Sequence, residues 1–316
     1  MTTVNTVLGP VSSADLGTVA VHEALLSVLP GAQYAPDITF DRPEIFTTLQ
    51  AKLEDFRSHG GGTFVDATGM FHGRDLPLLE ALSKATGVHI IASTGQGPEE
   101  LLGGYFLTPQ TNPPTPWPAE KFADLFAKEV TEGMVMPRVE RRAGAGLIVT
   151  AVTRAGRTAT DESLLRGAAR AAKETGAPMS FQYGDDALGD LEIVLSEGLD
   201  PARVLVGGCD RVGAPALEIA RKGAYVGIDN VGTGSEGLLD DTARGELVST
   251  LIAEGLGERI ICSSNAIGVA KGLEPREVAY SAVAADFIPG LGLSGEDAQR
   301  ILRDNPREFI TVRENN

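Results

Sequence analysis

The sequence predicts an α/β protein, a single (β/α)8 TIM barrel over residues 1–316. Three observations lead there. Short β-rich apolar runs alternate with longer helix-like segments along the whole chain, the pattern of a parallel sheet built from βα units. Eight such runs can be counted in a chain of 316 residues, about the usual length for this fold. The runs are almost continuously hydrophobic, which suits strands covered on both faces. An open doubly wound sheet shares the first and third features, because strand order is not written in one sequence. The count of eight favours closure.

The runs are Thr18–Leu25, Gly62–Thr68, Val88–Thr94, Gly146–Val152, Pro178–Tyr183, Arg203–Cys209, Ala224–Asp229 and Arg259–Ser264. Helices are expected between them. Over Asp161–Thr175, Leu164, Leu165, Ala168, Ala169 and Ala172 keep helical spacing and Gly176 supplies a stop. Leu78–Ala85, Glu120–Thr131, Asp190–Glu197 and Ala214–Arg221 have the same character. A last helix should open at Ser294, with Asp297 completing a weak capping box, and stop near Arg303 ahead of Asn305-Pro306. The Pro-rich stretch Thr108–Pro118 reads as a βα loop, with Trp117 either lining a pocket or packed for local stability.

Composition narrows the function classes. With 43 acidic against 27 basic residues the formal charge is −16, which repels phosphate backbones and anionic lipid, so neither nucleic acid nor membrane is an expected partner. No apolar run approaches bilayer length and the first residues have no signal-peptide character, so a cytoplasmic location is expected. Two cysteines, Cys209 and Cys262, fit a reducing compartment and no disulfide framework. Four histidines, His22, His59, His72 and His89, are few for a metalloenzyme of this size.

Several segments taken together carry a resemblance. They are LGPVSSADLGTVAVHEAL, FVDAT, GRDLPLLEALSKATGVHIIASTG, FADLFAKEVTEGM, RAGAGLIVTAV, AARAAKETGAPMSFQ, DPARVLVGGCD, KGAYVGIDN and ILRDNPREF, spread in order from Leu8 to Ile310. The chain resembles the phosphotriesterase-like family of the amidohydrolase superfamily. That resemblance implies a metal-dependent hydrolase barrel. Its two divalent metals would be held at the C-terminal strand ends by a His-x-His pair, a carboxylated lysine, two further histidines and an aspartate, and would activate a bridging hydroxide.

Mapped onto this chain, the six positions are His22, Ala24, Val149, Gln182, Gly208 and Asn265. Only the first retains the family's ligand. Even an altered second-shell partner of a metal typically costs about 10–100-fold in affinity or activity, so these replacements predict a barrel with no metal and no other cofactor. Gln182 and Asn265 are neutral and close in shape to what they replace, so a polar pocket is expected to persist.

Residues at the predicted strand ends that could line the pocket are His22, Glu23, Asp66, Tyr183, Cys209, Asp210, Asp229 and Cys262. A cysteine with His22 could form a thiolate pair, although free cysteines more often pack as small hydrophobes. The two-residue period of a strand sets Glu23 opposite His22, in the barrel wall. Asp66 and Asp229 could contact a ligand or bond neighbouring loop backbone, and His59, His72 and His89 read as surface residues. The glycine-rich GTGSEG (Gly232–Gly237) lacks the ending of a P-loop. The leading expectation is a non-catalytic barrel that binds a small molecule or regulates a partner. The alternative is a lactone, ester or phosphoester hydrolase with a mononuclear or metal-free site. A homodimer, or pairing with an active relative, is compatible with either.

Overall fold

The structure is a computed structural model that describes residues 2–102, 116–136 and 140–313. Its centre is a parallel sheet of nine strands: β1 (Thr18–Val28), β2 (Gly61–Asp66), β3 (His89–Gln96), β4 (Leu147–Ala151), β5 (Met179–Gln182), β6 (Val204–Gly207), β7 (Tyr225–Ile228), β8 (Ile260–Cys262) and β9 (Ile267–Lys271). The spatial order is β8-β7-β6-β5-β4-β3-β2-β1-β9. Because β9 follows β8 after only four residues and pairs with β1, the two act as one interrupted eighth stave that closes the barrel. All eight predicted strands are present, most of them trimmed by a residue or two at their ends.

Helices cover the outside: α1 (Arg42–Ser58), α2 (Leu76–Thr86), α3 (Ala119–Thr131), α4 (Ala159–Thr175), α5 (Ala187–Ser196), α6 (Ala216–Arg221) and α7 (Asp241–Ala253). The capping signals act as local chemistry requires. Thr158 and Asp161 form a capping box on α4, and Gly176 ends that helix in a left-handed conformation at φ +71°. Sequence reasoning named neither α1 nor α7. The first has a clear buried stripe of Ile45, Leu49, Leu53 and Phe56. The inward face of α7 contains Arg244 and Gly245 beside Val248 and Leu251, which hides its helical period.

Pro306 does not end the last helix. After Gly295–Gln299, capped by Ser294 as expected, the chain passes through a π-helical turn at Arg300–Asp304 and continues as Asn305–Ile310. Pro306 falls in the first turn of that last segment, where its missing N–H is tolerated.

Two apolar layers sandwich the barrel wall. Val19, Val21, Val65, Ile91, Leu147, Val149, Leu205, Tyr225 and Ile261 fill its interior, plugged from below by Val4, Leu16, Phe309 and Ile310. Phe64, Ile90, Ile148, Phe181, Val206, Val226, Ile228 and Ile260 belong to the outer layer under the helices. Among the described residues no helix is long and apolar enough to cross a membrane.

Candidate functional site

The site begins with a break in strand alternation. His22 has φ +63°, rare for a non-glycine residue, and the register of β1 against β2 shifts between Ala20 and Glu23. The two-residue period therefore does not hold across His22 and Glu23, which corrects the parity argument. Its conclusion about Glu23 survives. The carboxyl of Glu23 accepts from the backbone N–H of Ser264 at 2.8 Å and of Ala266 at 2.6 Å, tying β1 to the β8–β9 junction. Burial pushes this carboxyl up to about 8, against the pull of those two amides and with a further rise from Asp229.

His22 sits at the centre of a polar cluster. Its Nδ1 lies 3.1 Å from Oδ2 of Asp229 and its Nε2 lies 2.9 Å from Oγ of Ser180. The same Asp229 oxygen accepts from Gln182 Nε2 at 2.9 Å and from Gly208 N–H at 2.7 Å. Burial drives the Asp229 carboxyl up, but His22, the Gly208 amide and Gln182 together hold it below the usual carboxylate range. Gly207 makes this convergence possible. A Cβ there would stand 2.5 Å from Gln182 Nε2, 2.6 Å from Asp229 Oδ2 and 2.7 Å from His22 Cε1. Oδ1 of Asp229 is buried with no hydrogen-bond partner among the described residues.

The other mapped positions surround the cluster without joining it. Val149 is buried in the interior apolar cluster. Ala24 is also buried; its N–H bonds Ala266 and its carbonyl accepts from Tyr280 Oη. Gly208 takes φ +75° and Asn265, half-buried at the β8–β9 break, takes φ +48°.

Several sequence candidates are placed elsewhere. Cys209 and Cys262 belong to the apolar layer beneath the helices, and burial pushes both thiols well above their ordinary range, so neither forms a thiolate pair with His22. Asp210 is fully buried against Arg244, Nε to Oδ2 at 2.8 Å, and against Asn230. A sequence cannot reveal that an arginine 34 residues on will claim it. Asp66 accepts from Thr68 N–H and Oγ1, a loop-bonding role, and burial raises it to about 6. Tyr183 lies under the Arg211 guanidinium, 4.2 Å from its centre, lining a rim cleft of about 440 Å³ with Arg154 and Gly184.

His59 caps α1 at the surface, while His72 is half-buried and its pKa is lowered by that burial, which corrects its surface reading. His89 opens β3, at the end away from the cluster. In GTGSEG the Gly232 N–H donates to Asp241, so that amide already has an anionic partner. The loop Thr108–Pro118 lies largely outside the described residues. Trp117 packs on Phe122 with ring centres 5.7 Å apart, the local-stability reading. Sequence reasoning missed Ser180, whose signal is its two-residue spacing from Gln182, and Arg276, which donates to Asn230 Oδ1 at 2.8 Å. No three His, Cys, Asp or Glu side chains are grouped as a metal site among the described residues.

A closed parallel barrel with its polar cluster at the C-terminal strand ends defines the architecture of the (β/α)8 hydrolases. The chain belongs to the phosphotriesterase family, whose model matches residues 2–310. It is 28% identical to the phosphotriesterase homology protein of Mycobacterium tuberculosis over 98% of each chain. It is likewise 28% identical to the aryldialkylphosphatase of Saccharolobus solfataricus, covering 95% of this chain and 97% of that one. An engineered variant of a phosphotriesterase-like lactonase from Deinococcus radiodurans superimposes with a TM-score of 0.82 at 26% identity, covering 97% and 99% of the two chains.

Proposed function

We propose that this chain is a phosphotriesterase-family barrel without a binuclear metal centre, which binds a small organic molecule at the barrel mouth and does not hydrolyse it. The observation that carries this reading is the double engagement of His22. Asp229 holds Nδ1 and Ser180 holds Nε2, so neither ring nitrogen is left to coordinate. The remaining mapped residues do not fit a metal pair either. Val149 and Ala24 offer hydrocarbon, Gly208 offers no side chain, Asn265 offers a neutral amide where the family has an aspartate, and Gln182 already donates its amide to Asp229. A ligand at the barrel mouth would meet hydrocarbon from Val149 and the half-buried Ala67 and polar atoms from Gln182 and His22, with Asp229 buried behind them, a division suited to a ligand with both characters. Elemental mass spectrometry on protein purified without chelator or affinity tag is the direct test. Two metals per chain would sink the reading. No metal, together with a ligand released from native protein on denaturation, is the expected result.

A second reading, a metal-free hydrolase of lactones, esters or phosphoesters, is favoured by one specific feature: Ser180, His22 and Asp229 are linked in the order of a nucleophile, base and orienting acid. Access argues against it. Ser180 has no solvent-exposed surface, so an acyl carbon has no path to its Oγ. Turnover abolished by Ser180→Ala in metal-free protein would revive it. Pairing with an active relative remains compatible with the binding role, and co-purification from native cells is its test.

A further inference from the structure

The barrel mouth contains a cation that makes no ion pair among the described residues, although it faces Asp210, Asp229 and Glu23. Arg276 lies beyond β9, half-buried, and its one guanidinium hydrogen bond among the described residues goes to the neutral side-chain carbonyl of Asn230 at 2.8 Å. Asn230 is itself fixed, its N–H and side-chain amide both bonded to Asp210 at 3.0 and 2.8 Å, so the guanidinium is positioned by a rigid relay. Among the described residues no carboxylate lies within 4.0 Å of Arg276, and residues 103–115 contain no acidic side chain. Arg203, Arg211 and Arg259 are also buried or half-buried without an ion pair, but Arg203 and Arg211 each donate to two or more backbone carbonyls and Arg259 lies over the Tyr225 ring, whereas Arg276 has a single hydrogen bond among the described residues.

The acids that face it are each engaged by other groups, although Oδ1 of Asp229 has no hydrogen-bond partner among the described residues. Asp210 is paired with Arg244, Asp229 with His22, Gln182 and the Gly208 amide, and Glu23 with two backbone N–H groups. Arg154, the other charged group facing Arg276, adds positive charge and also has no ion pair among the described residues. Arg276 therefore faces carboxylates that other groups engage, and among the described residues none of them lies within 4.0 Å of its guanidinium.

We propose that Arg276 anchors the carboxylate of a small organic anion bound in the barrel mouth. This rests on the ligand-binding reading above and adds to it the chemical class of the ligand. A guanidinium presents parallel donors that match a carboxylate in two-point geometry. A monoanion suits the site better than a phosphate, whose second charge would be repelled by Asp229 and Asp210, the acids that act on Arg276.

Benzoate is a suitable probe, titrated into metal-free protein by calorimetry and thermal shift with chloride at matched ionic strength as the control. Wild type should bind benzoate with a dissociation constant of about 1 mM, the range expected for a small ligand with one charged anchor. Arg276→Gln should weaken binding at least about tenfold while its unfolding profile without ligand stays close to wild type. Should that variant not fold, Arg276→Lys keeps the charge and loses the fork, and is expected to bind several-fold more weakly than wild type. Equal binding by wild type and variant, or none above the chloride control, overturns the proposal and leaves the metal-free reading standing. Benzoate binding that disappears on chelation would instead implicate a metal, and both readings would fall.

Discussion

His22 and Asp229 form a buried pair, Nδ1 to Oδ2 at 3.1 Å, in which the aspartate has no exposed side-chain surface and three other groups depend on the geometry. Removing one partner leaves a donor or acceptor buried without its bond, at a cost of about 1–3 kcal/mol. Asp229→Asn should therefore lower stability by about that amount in urea denaturation. The double variant with His22→Gln should cost less than the sum of the two single changes. Strict additivity would show that the two side chains do not interact in solution.

Arg244 offers a parallel test of where Asp210 belongs. Both side chains are fully buried, 2.8 Å apart. Arg244→Met should destabilise by about 3–5 kcal/mol, and Asp210→Asn in that background should recover part of the loss. If Asp210→Asn abolished ligand binding with stability unchanged, Asp210 would be a ligand contact after all.

Gly207 is the position where a single methyl group should undo the polar cluster. Its Cβ would collide with three members of the network at 2.5–2.7 Å. Gly207→Ala is expected to cost about 1–3 kcal/mol and to disturb the imidazole signals of His22 by NMR. An unshifted His22 spectrum in a fully stable variant would contradict the geometry.

Burial raises Glu23 to about 8 and Asp66 to about 6 from ordinary values of 4.5 and 3.8. Each binds its proton more tightly folded than unfolded. Their contribution to stability is thus complete below the unfolded values and is lost as pH climbs through about 6 and then about 8. Glu23→Gln should flatten the upper part of that decline, although the amide nitrogen facing a backbone N–H will lower stability at every pH. Denaturation midpoints of wild type and variant followed across that interval check the slope; parallel curves would mean that Glu23 does not change its proton affinity on folding.

Much of the barrel was legible because its strands are apolar on both faces and its helices obey capping chemistry, as Thr158, Asp161 and Gly176 illustrate on α4. The hidden part lies where burial and polarity coincide. Arg244 on the inner face of α7 erases the apolar stripe that would announce a helix. In the site, His22 and Asp229 could be named from their strand-end positions and Gln182 from the family resemblance. For Ser180 the sequence offered only its two-residue spacing from Gln182, which places it on the same face; the contact with His22 depends on the bend in β1. Asp210 and the cysteines looked available in sequence because the partners and layers that claim them come from distant segments.

The clasp made by Glu23 also sets a schedule. Its two amide partners, on Ser264 and Ala266, follow it by 241 and 243 residues. At roughly 5–20 residues per second of synthesis, the first strand is made about 10–50 seconds before the segment that seals it. Throughout that interval an unpaired parallel edge and a carboxyl destined for burial are open to the surroundings. Chaperone demand during translation should thus fall on the nascent N-terminal half, and a chain truncated before Ser264 should engage chaperones persistently where the full chain does so only in passing.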